Sequence, residues 1–329
     1  MSLRHIAIPS WTIGNLQRYP SYALATRVQS KLQEDLLAWR DLPVNPHGHK
    51  HEHDYEHGRP GPPPPPALLS FTPAPTYTLG RRQTEPLPPE ELARLRAPLG
   101  IYRLKTRDGS RTWSVFKPEV VHTPRGGLTT YHGPGQLVLW PVIDLRSPLH
   151  QRFTVRDYVR LLEETTIATL QGLYDIEGFT TEDPGVWVRR NTGEKKIAAL
   201  GVHLRRYVTG LGVAINIKPP STNEEHIDPW ARIVPCGIEN KGVTTVVAKP
   251  NKHVHDLKMT KDISSTWAIE FASRLGVGNS VYGGPLVWRD DWELWEKKLE
   301  RELEIDQESE DQESEDYVTS YVQCIPSRR

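Results

Sequence analysis

The sequence predicts an α+β fold, a mixed β-sheet with flanking helices. Three observations predict it. Short runs of β-branched and aromatic residues come in pairs separated by turn residues. Three long stretches carry apolar residues at helical spacing. The two kinds of segment do not alternate as regular βαβ units, which argues against an all-parallel sheet. At 329 residues the chain has the length of one large domain or two ordinary ones, and either buries a sizeable core.

The first residues are basic, with Arg4, Arg18 and Arg27 and no acid before Glu34, a composition shared with mitochondrial presequences. Residues 21–39 also carry Leu24, Val28, Leu32, Leu36 and Leu37 at helical spacing, so the stretch equally reads as the fold's own first helix. Residues 43–66 break the pattern with His47, His49, His51, His53, His57 and the prolines from Pro62 to Pro66. Such a tract has little to pack, and is expected as an exposed, largely disordered insertion ending in polyproline II. Its imidazoles suit zinc or copper, but no closed ligand set with fixed spacing is present and no metal site is expected.

Residues 67–80 read as a strand, a proline-shaped turn and a second short strand. Residues 101–121 read as a hairpin around Asp108-Gly109. The glycine-rich segment 125–136 precedes an apolar, β-rich run at 137–145, which reads as a buried strand bearing the loop on its edge. Residues 154–173 form the clearest helix. Thr154 can cap it, Asp157 holds the capping-box position, and Tyr158, Leu161, Leu162, Leu170 and Leu173 make one apolar face. Residues 185–188 and 196–208 read as a hairpin about a polar turn at 191–194, with Lys196 at the mouth of its second strand, and 212–217 adds a short strand. A last helix is predicted over 260–275, with Ile263, Trp267, Phe271 and Leu275 four apart and Gly276 as the stop. Trp288, Trp292 and Trp295 among alternating charges suggest an amphipathic helix, and 306–316 repeats Asp-Gln-Glu-Ser-Glu. The organisation expected is one domain over 1–304, interrupted at 43–66, and an acidic low-complexity tail at 305–329.

The formal net charge is zero, from 41 basic and 41 acidic side chains. Because acids crowd the tail, the body is mildly basic and suits an acidic partner. No zinc-finger, RNP or basic-helix pattern is present, so no nucleic-acid partner is expected. No apolar run approaches the roughly 20 residues of a membrane-spanning helix, and no membrane partner is expected. The only cysteines, Cys236 and Cys324, exclude a disulfide framework and fit a compartment where thiols stay reduced.

Two features carry candidate chemistry. The segment Arg125-Gly126-Gly127-Leu128-Thr129-Thr130-Tyr131-His132-Gly133-Pro134-Gly135-Gln136 combines glycines that permit close backbone approach with polar groups able to meet a ligand, although neither common phosphate-loop spacing is present. Cys236, between Pro235 and Gly237, is a thiol uncrowded on one side. A nucleophilic cysteine needs a neighbouring cation or base, and the glycine-rich loop or Lys196 could supply one. Taken singly, the cysteine reads equally as a small buried hydrophobe, the lysine as a surface cation and His132 as a structural hydrogen-bonding residue.

Together these residues resemble a known family. Arg125 to Gln136 is similar to the signature of the octanoyltransferases, the lipoyl(octanoyl) transferase family of lipoate biosynthesis. Pro75-Thr-Tyr-Thr-Leu-Gly-Arg81 resembles an earlier family motif. Lys196-Ile-Ala-Ala-Leu-Gly201, Arg206-Tyr-Val-Thr209, Gly212-Val-Ala-Ile-Asn216 and Pro235-Cys-Gly237 with Gly242-Val-Thr244 resemble the later ones in order. The likeness covers roughly 1–280 without the insertion. It implies a fold like the catalytic domain of biotin and lipoate protein ligases, and a eukaryotic mitochondrial member acting in the matrix. It further implies that Cys236 takes an octanoyl group from octanoyl-acyl carrier protein as a thioester. A lysine of a lipoyl domain, in the E2 subunits of 2-oxoacid dehydrogenases or the glycine cleavage H protein, then takes it as an amide. By the same resemblance Lys196 lowers the cysteine pKa and relays protons. Acyl contacts fall to Arg125, Gly126, Gly127, Leu128, Thr129, Thr130, Tyr131, His132, Ala199, Leu200, Gly201, Gly212, Val213 and Ala214. Thioester to amide runs downhill, so no cofactor is implied.

The chain departs from the family pattern twice. Leu211 stands where many members have histidine, leaving His203 or a water to substitute if that contact is needed. Ser70-Phe71-Thr72 lacks the usual acidic or histidine residue. The rival reading is an ATP-dependent lipoate or biotin protein ligase on the same fold, which has no need of an acyl-enzyme cysteine. A non-catalytic scaffold is disfavoured by the presence of both Cys236 and Lys196.

Overall fold

The computed structural model describes residues 2–13, 16–43, 61–102, 113–219, 224–233, 242–247, 256–278 and 281–285. All belong to one compact unit, Met1–Pro285. The expectations for the histidine tract 47–57, the Asp108-Gly109 turn, Cys236, the segment 288–295, the boundary at 304 and the acidic tail lie outside the described residues. In chain order the strands are β1 (Leu3–Ile8), β2 (Trp11–Ile13), β3 (Leu16–Arg18), β4 (Ala67–Phe71), β5 (Thr76–Leu79), β6 (Leu99–Tyr102), β7 (Trp113–Phe116), β8 (Glu119–His122), β9 (Thr130–His132), β10 (Gln136–Val142), β11 (Gly178–Phe179), β12 (Gly185–Arg190), β13 (Gly193–Arg205), β14 (Val208–Asn216) and β15 (Val281–Pro285). The helices are α1 (Tyr22–Asp41), α2 (Pro89–Arg96), α3 (Val155–Tyr174) and α4 (Asp256–Leu275), with a 3-10 turn at Pro229–Arg232.

An eight-stranded sheet in the order β11-β12-β13-β14-β10-β4-β1-β15 is the frame. Its strands are antiparallel from β11 to β4 and parallel from β4 through β1 to β15, so the predicted mixed sheet is what forms. The period of two sorts side chains between its faces. Leu137 and Leu139, Val213 and Ile215, and Val186 and Val188 all turn to one face and pack under α3 and α4. Helix α3 contributes Tyr158, Leu161, Leu162 and Leu170, the face predicted from its spacing, and opens with the predicted Thr154–Asp157 capping box. Helix α4 contributes Ile263, Trp267, Phe271 and Leu275. The Trp267 indole N–H donates to Thr166 Oγ1 at 3.0 Å, which ties the two helices together.

Helix α1 packs on the other face of the sheet, against β14, β10 and β4, and the chain also forms a separate three-stranded sheet, β8-β5-β9. Ser21 caps α1, and Tyr22 packs edge-on against Trp140 of β10 with ring centroids 5.2 Å apart. Residues 21–39 therefore belong to the fold's own first helix. Strand β1 lies between β4 and β15, so the basic N-terminal stretch is also sheet.

The structure corrects several expectations. The predicted hairpin pairs Leu99–Tyr102 with Trp113–Phe116, but its second arm stops there. Pro118 has no N–H for the ladder, and the chain turns to form β8, parallel to β5. The end of the proline tract is docked rather than exposed. Pro63 and Pro66 are buried, and the Arg4 amide donates to the Pro66 carbonyl at 2.9 Å. Strand β14 begins at Val208, before the predicted 212, because Gly210 and Gly212 leave room for neighbours: a Cβ on Gly212 would sit 2.2 Å from the Leu139 carbonyl oxygen.

Candidate active site

The outward face of β13 and β14 carries a floor of small residues. The register pairs Ala199 with Ala214 and Gly201 with Gly212, while the alternating Leu200 and Val213 turn into the core. Ala199 and Gly201 are half-buried; Gly212 and Ala214 are buried. Of the predicted acyl contacts, then, Ala199, Gly201, Gly212 and Ala214 share one face, and Leu200 and Val213 offer that face only backbone.

Arg125 forms one wall. Its guanidinium donates from Nη2 to the Thr78 carbonyl at 2.6 Å and to Thr78 Oγ1 at 2.8 Å, and from Nη1 to the Gly126 carbonyl at 2.9 Å. Its aliphatic stem lies over Gly201, where a Cβ would meet Arg125 Cδ at 2.8 Å. That glycine is therefore a contact surface for a buried arginine linking the small sheet to the large one. The loop is tied down by Arg81 N–H to Arg125 C=O at 2.9 Å and Arg82 N–H to Gly127 C=O at 3.2 Å. Gly127 takes a positive φ of 86° and is half-buried like Leu128, while Gly126 is exposed.

From there Thr130, Tyr131 and His132 pair with Thr78, Tyr77 and Thr76. Alternation divides them. Tyr131 joins Tyr77, Leu95, Leu99 and Trp230 in a second small core. His132 turns the other way and stacks on Tyr22 at 5.9 Å. Burial first, and then the Arg125 guanidinium, push the His132 imidazole down to about 3, against a hydrogen bond with Gln136 that favours its charged form. His132 is thus a neutral ring at ordinary pH. Thr129 is buried beside these strands.

Lys196 is a second buried cation of the site, with 6% of its surface exposed. A β-bulge puts it there. Strand β12 pairs Val186 with Ala198 and Trp187 with Lys196, so Ile197 is the extra residue. Ile197 and Ala198 both enter the core, and Lys196 emerges opposite Trp187 on the outward face, the face of Ala199 and Gly201. Its Nζ sits 4.7 Å over the Trp187 ring and donates to the Pro184 carbonyl at 3.0 Å. The side chain passes over Gly185, where a Cβ would stand 3.3 Å from Lys196 Cε. Its backbone receives the chain just beyond Cys236: Lys196 N–H donates to Gly242 C=O at 3.0 Å and Thr244 N–H donates to Lys196 C=O at 2.9 Å.

Some residues here escaped the sequence reading. Thr78 anchors Arg125, Gly185 makes room for Lys196, and Glu163 of α3 accepts the Gly185 N–H at 2.9 Å. Glu163 left a usable signal, since it is an acid directly after the buried pair Leu161 and Leu162. The two departures also resolve into structure. His5 donates or accepts through Nε2 at 2.8 Å from Ser70 Oγ, so a histidine does stand beside that strand, brought from β1. Leu211 is buried with a left-handed φ of 61°, and His203 lies two residues beyond Gly201 on the outward face. Among the described residues no group of three or more His, Cys, Asp or Glu side chains converges as a metal site. No described helix is long and apolar enough to cross a membrane.

Fold and site together define an α+β domain that presents a buried lysine beside a floor of small residues. The family model described as the lipoyl protein ligase A/B catalytic domain matches residues 55–267, and the chain belongs to that family. It is 41% identical over 172 residues, 52% of this chain and 62% of the relative, to a mitochondrial protein of Danio rerio named octanoyl-acyl-carrier-protein:protein N-octanoyltransferase LIPT2. It is 30% identical over 220 residues, 64% of this chain and 60% of the relative, to the mitochondrial octanoyltransferase of Saccharomyces cerevisiae. The matches therefore span about three fifths of these relatives' lengths. A crystal structure of lipoate-protein ligase A bound with ATP aligns with 87% of this chain and 90% of its own at 14% identity and a TM-score of 0.46.

Proposed function

We propose that this protein transfers an octanoyl group from octanoyl-acyl carrier protein to a lysine of a lipoyl domain, through a thioester on Cys236. The observation that carries the reading is Lys196: a buried ammonium on the small-residue face, with its backbone bonded to the segment that follows the Pro235-Cys236-Gly237 motif. An unperturbed thiol, with pKa about 8.5, is only a few per cent thiolate at neutral pH, and an adjacent ammonium raises that share.

In the first step the Cys236 thiolate attacks the octanoyl thioester carbonyl. The C–S bond to the carrier breaks, and the departing thiolate takes a proton from the Lys196 ammonium. In the second step the acceptor lysine's neutral amine attacks the Cys236 thioester, an amide C–N bond forms, and the amine proton passes to neutral Lys196 as the Cys236 thiolate leaves. Both steps balance without a nucleotide. The floor of Ala199, Gly201, Gly212 and Ala214 leaves room along the sheet for a straight chain, and each buried methylene contributes about 0.8 kcal/mol. Arg125 to Leu128 lie at the approach to it, whereas Tyr131 packs in the second small core. The relatives named mitochondrial octanoyltransferases support the same activity and a mitochondrial matrix location. The acceptors proposed are E2 lipoyl domains and glycine cleavage H protein.

The test is incubation with octanoyl-acyl carrier protein followed by intact mass. Wild type should gain one octanoyl group that hydroxylamine removes, and Cys236→Ser should gain none that is so labile. Free octanoate with ATP should give no adduct and no transfer. Transfer that needs ATP and survives Cys236→Ser would make the protein a ligase instead.

A further inference from the structure

One peptide unit links the Lys196 ammonium to an acid on α3. Nζ donates to the Pro184 carbonyl at 3.0 Å, and the N–H of that same peptide, on Gly185, donates to Glu163 Oε1 at 2.9 Å. A carboxylate at the N–H end of a peptide polarises it so that the C=O end becomes a better acceptor. The arrangement therefore couples an acid on α3 to the lysine through a fixed backbone dipole. Glu163 is itself buried, so its charge acts at low dielectric rather than through water. Burial raises its carboxyl above the ordinary range, while the Gly185 N–H and then the Lys196 charge pull it back down. An acid placed there without a partner would cost stability with no return.

We propose that Glu163 is a positioning residue of this reaction centre, orienting the Pro184–Gly185 peptide so that Lys196 lies along the small-residue face as a charged ammonium. The inference deepens the acyl-transfer reading and rests on it for its kinetic consequence, though not for the coupling itself. Among the described residues, the other charges on the neighbouring elements are these. From α3, Arg160 and Glu164 act on Glu163 from the exposed side. From the chain before β12 comes Asp183, and from β12 itself Arg190, which is turned to Thr244 Oγ1 and the Thr245 carbonyl. From β13 comes Lys195, whose Nζ would lie 3.0 Å from a Cβ on Gly242. The described segment 242–247 carries no ionisable side chain. Glu163 is the buried acid of this set.

The sign of its effect follows. Removing a negative charge stabilises every nearby conjugate base, so the Lys196 ammonium loses its proton at lower pH and the Cys236 thiol, if adjacent, does so as well. Both limbs of a thiolate–ammonium bell then move to lower pH together. Glu163→Gln keeps an oxygen for the Gly185 N–H and removes only the charge, whereas Glu163→Ala removes both. Glu164→Gln, with an exposed carboxylate one residue on, controls for a general change of charge.

Two readouts decide the matter. In protein labelled with 13C-lysine, the Cε resonance of Lys196, assigned by its loss in Lys196→Arg, should titrate about 1 unit lower in Glu163→Gln than in wild type, and unchanged in Glu164→Gln. The rate of octanoyl adduct formation from octanoyl-acyl carrier protein should keep its plateau within about threefold in Glu163→Gln, with both limbs shifted to acid. In Glu163→Ala the plateau should also fall roughly tenfold, because the Gly185 N–H loses its partner. An unmoved Lys196 titration in Glu163→Gln overturns the proposal. If wild type forms no adduct, the acyl-transfer reading falls, and the Lys196 titration alone still decides whether Glu163 governs the lysine.

Discussion

At the scale of single residues, the site depends on what is missing as much as on what is present. Gly201 and Gly126 both lie in motifs predicted to contact the acyl chain, yet they answer to different demands. A methyl on Gly201 would meet Arg125 Cδ at 2.8 Å, and Arg125 cannot yield cheaply because Thr78 holds its guanidinium. Gly201→Ala should therefore cost about 1–3 kcal/mol in chemical denaturation, with a matching loss of acyl transfer. A methyl on Gly126 meets nothing within 4 Å, so Gly126→Ala should denature like wild type and alter, at most, KM. The histidines give a second prediction. Burial holds His132 down at about 3 and His5 down at about 4, while both accept protons near 6.5 in the unfolded chain. The unfolded state thus binds more protons as pH falls below 6.5, and stability drains away until the folded pKa values are passed. The melting temperature should drop between about pH 7 and pH 5, and His132→Gln should shrink that drop; an equal drop in the variant would mean His132 does not contribute to it.

At the scale of elements, the bulge in β13 is the device that matters. Strict alternation back from Ala199 would turn Lys196 into the core beside Val186 and Val188, and the unpaired Ile197 moves it to the outward face. Deleting Ile197 leaves Lys196 next to Ala198, where regular alternation keeps it opposite Trp187 on the outward face, so octanoyl adduct formation should hold within about tenfold. Stability should still fall, by about 2–5 kcal/mol, because a fully buried side chain leaves the core. Ile197→Val keeps the bulge and should cost only about 0.5–1.5 kcal/mol, with the pH profile in place. Nothing in the sequence announced that extra residue, because Lys-Ile-Ala-Ala reads as uninterrupted strand. What was legible were elements with local causes: α3 from its capping box and apolar face, α4 from residues four apart and Gly276, and the β12–β13 hairpin from its polar turn. Strands β1 to β3 and helix α2 were not. Helix α2 is short and buries only Leu95, so it leaves almost no periodicity to read. The glycine-rich loop was legible as a site, but that its arginine reaches Thr78 and Gly201 depends on contacts far apart in sequence.

At the scale of the whole molecule, the sheet order could not be read from local pattern, because its parallel half is assembled from distant segments. Strand β1 pairs with β4 across the insertion and with β15 from the far end of the compact unit. Pairing of that kind is specified by burial on both sides rather than by a turn. Leu3 is fully buried in the core shared with α4, and Val281 packs against the same cluster. The strand β15 therefore covers the outer edge of β1, whose backbone groups would otherwise face solvent as an open template. This predicts a sharp boundary for the folded unit. A chain ending at Pro285 retains β15 and should melt cooperatively near the full-length value, with octanoyl adduct formation unchanged within about twofold. A chain ending at Val277 loses five residues of pairing with β1 and the Val281 packing. It should melt lower and self-associate in sedimentation, because the edge of β1 is then uncovered. If the chain ending at Pro285 instead melts well below full length, residues beyond it stabilise the fold and the compact unit extends past β15.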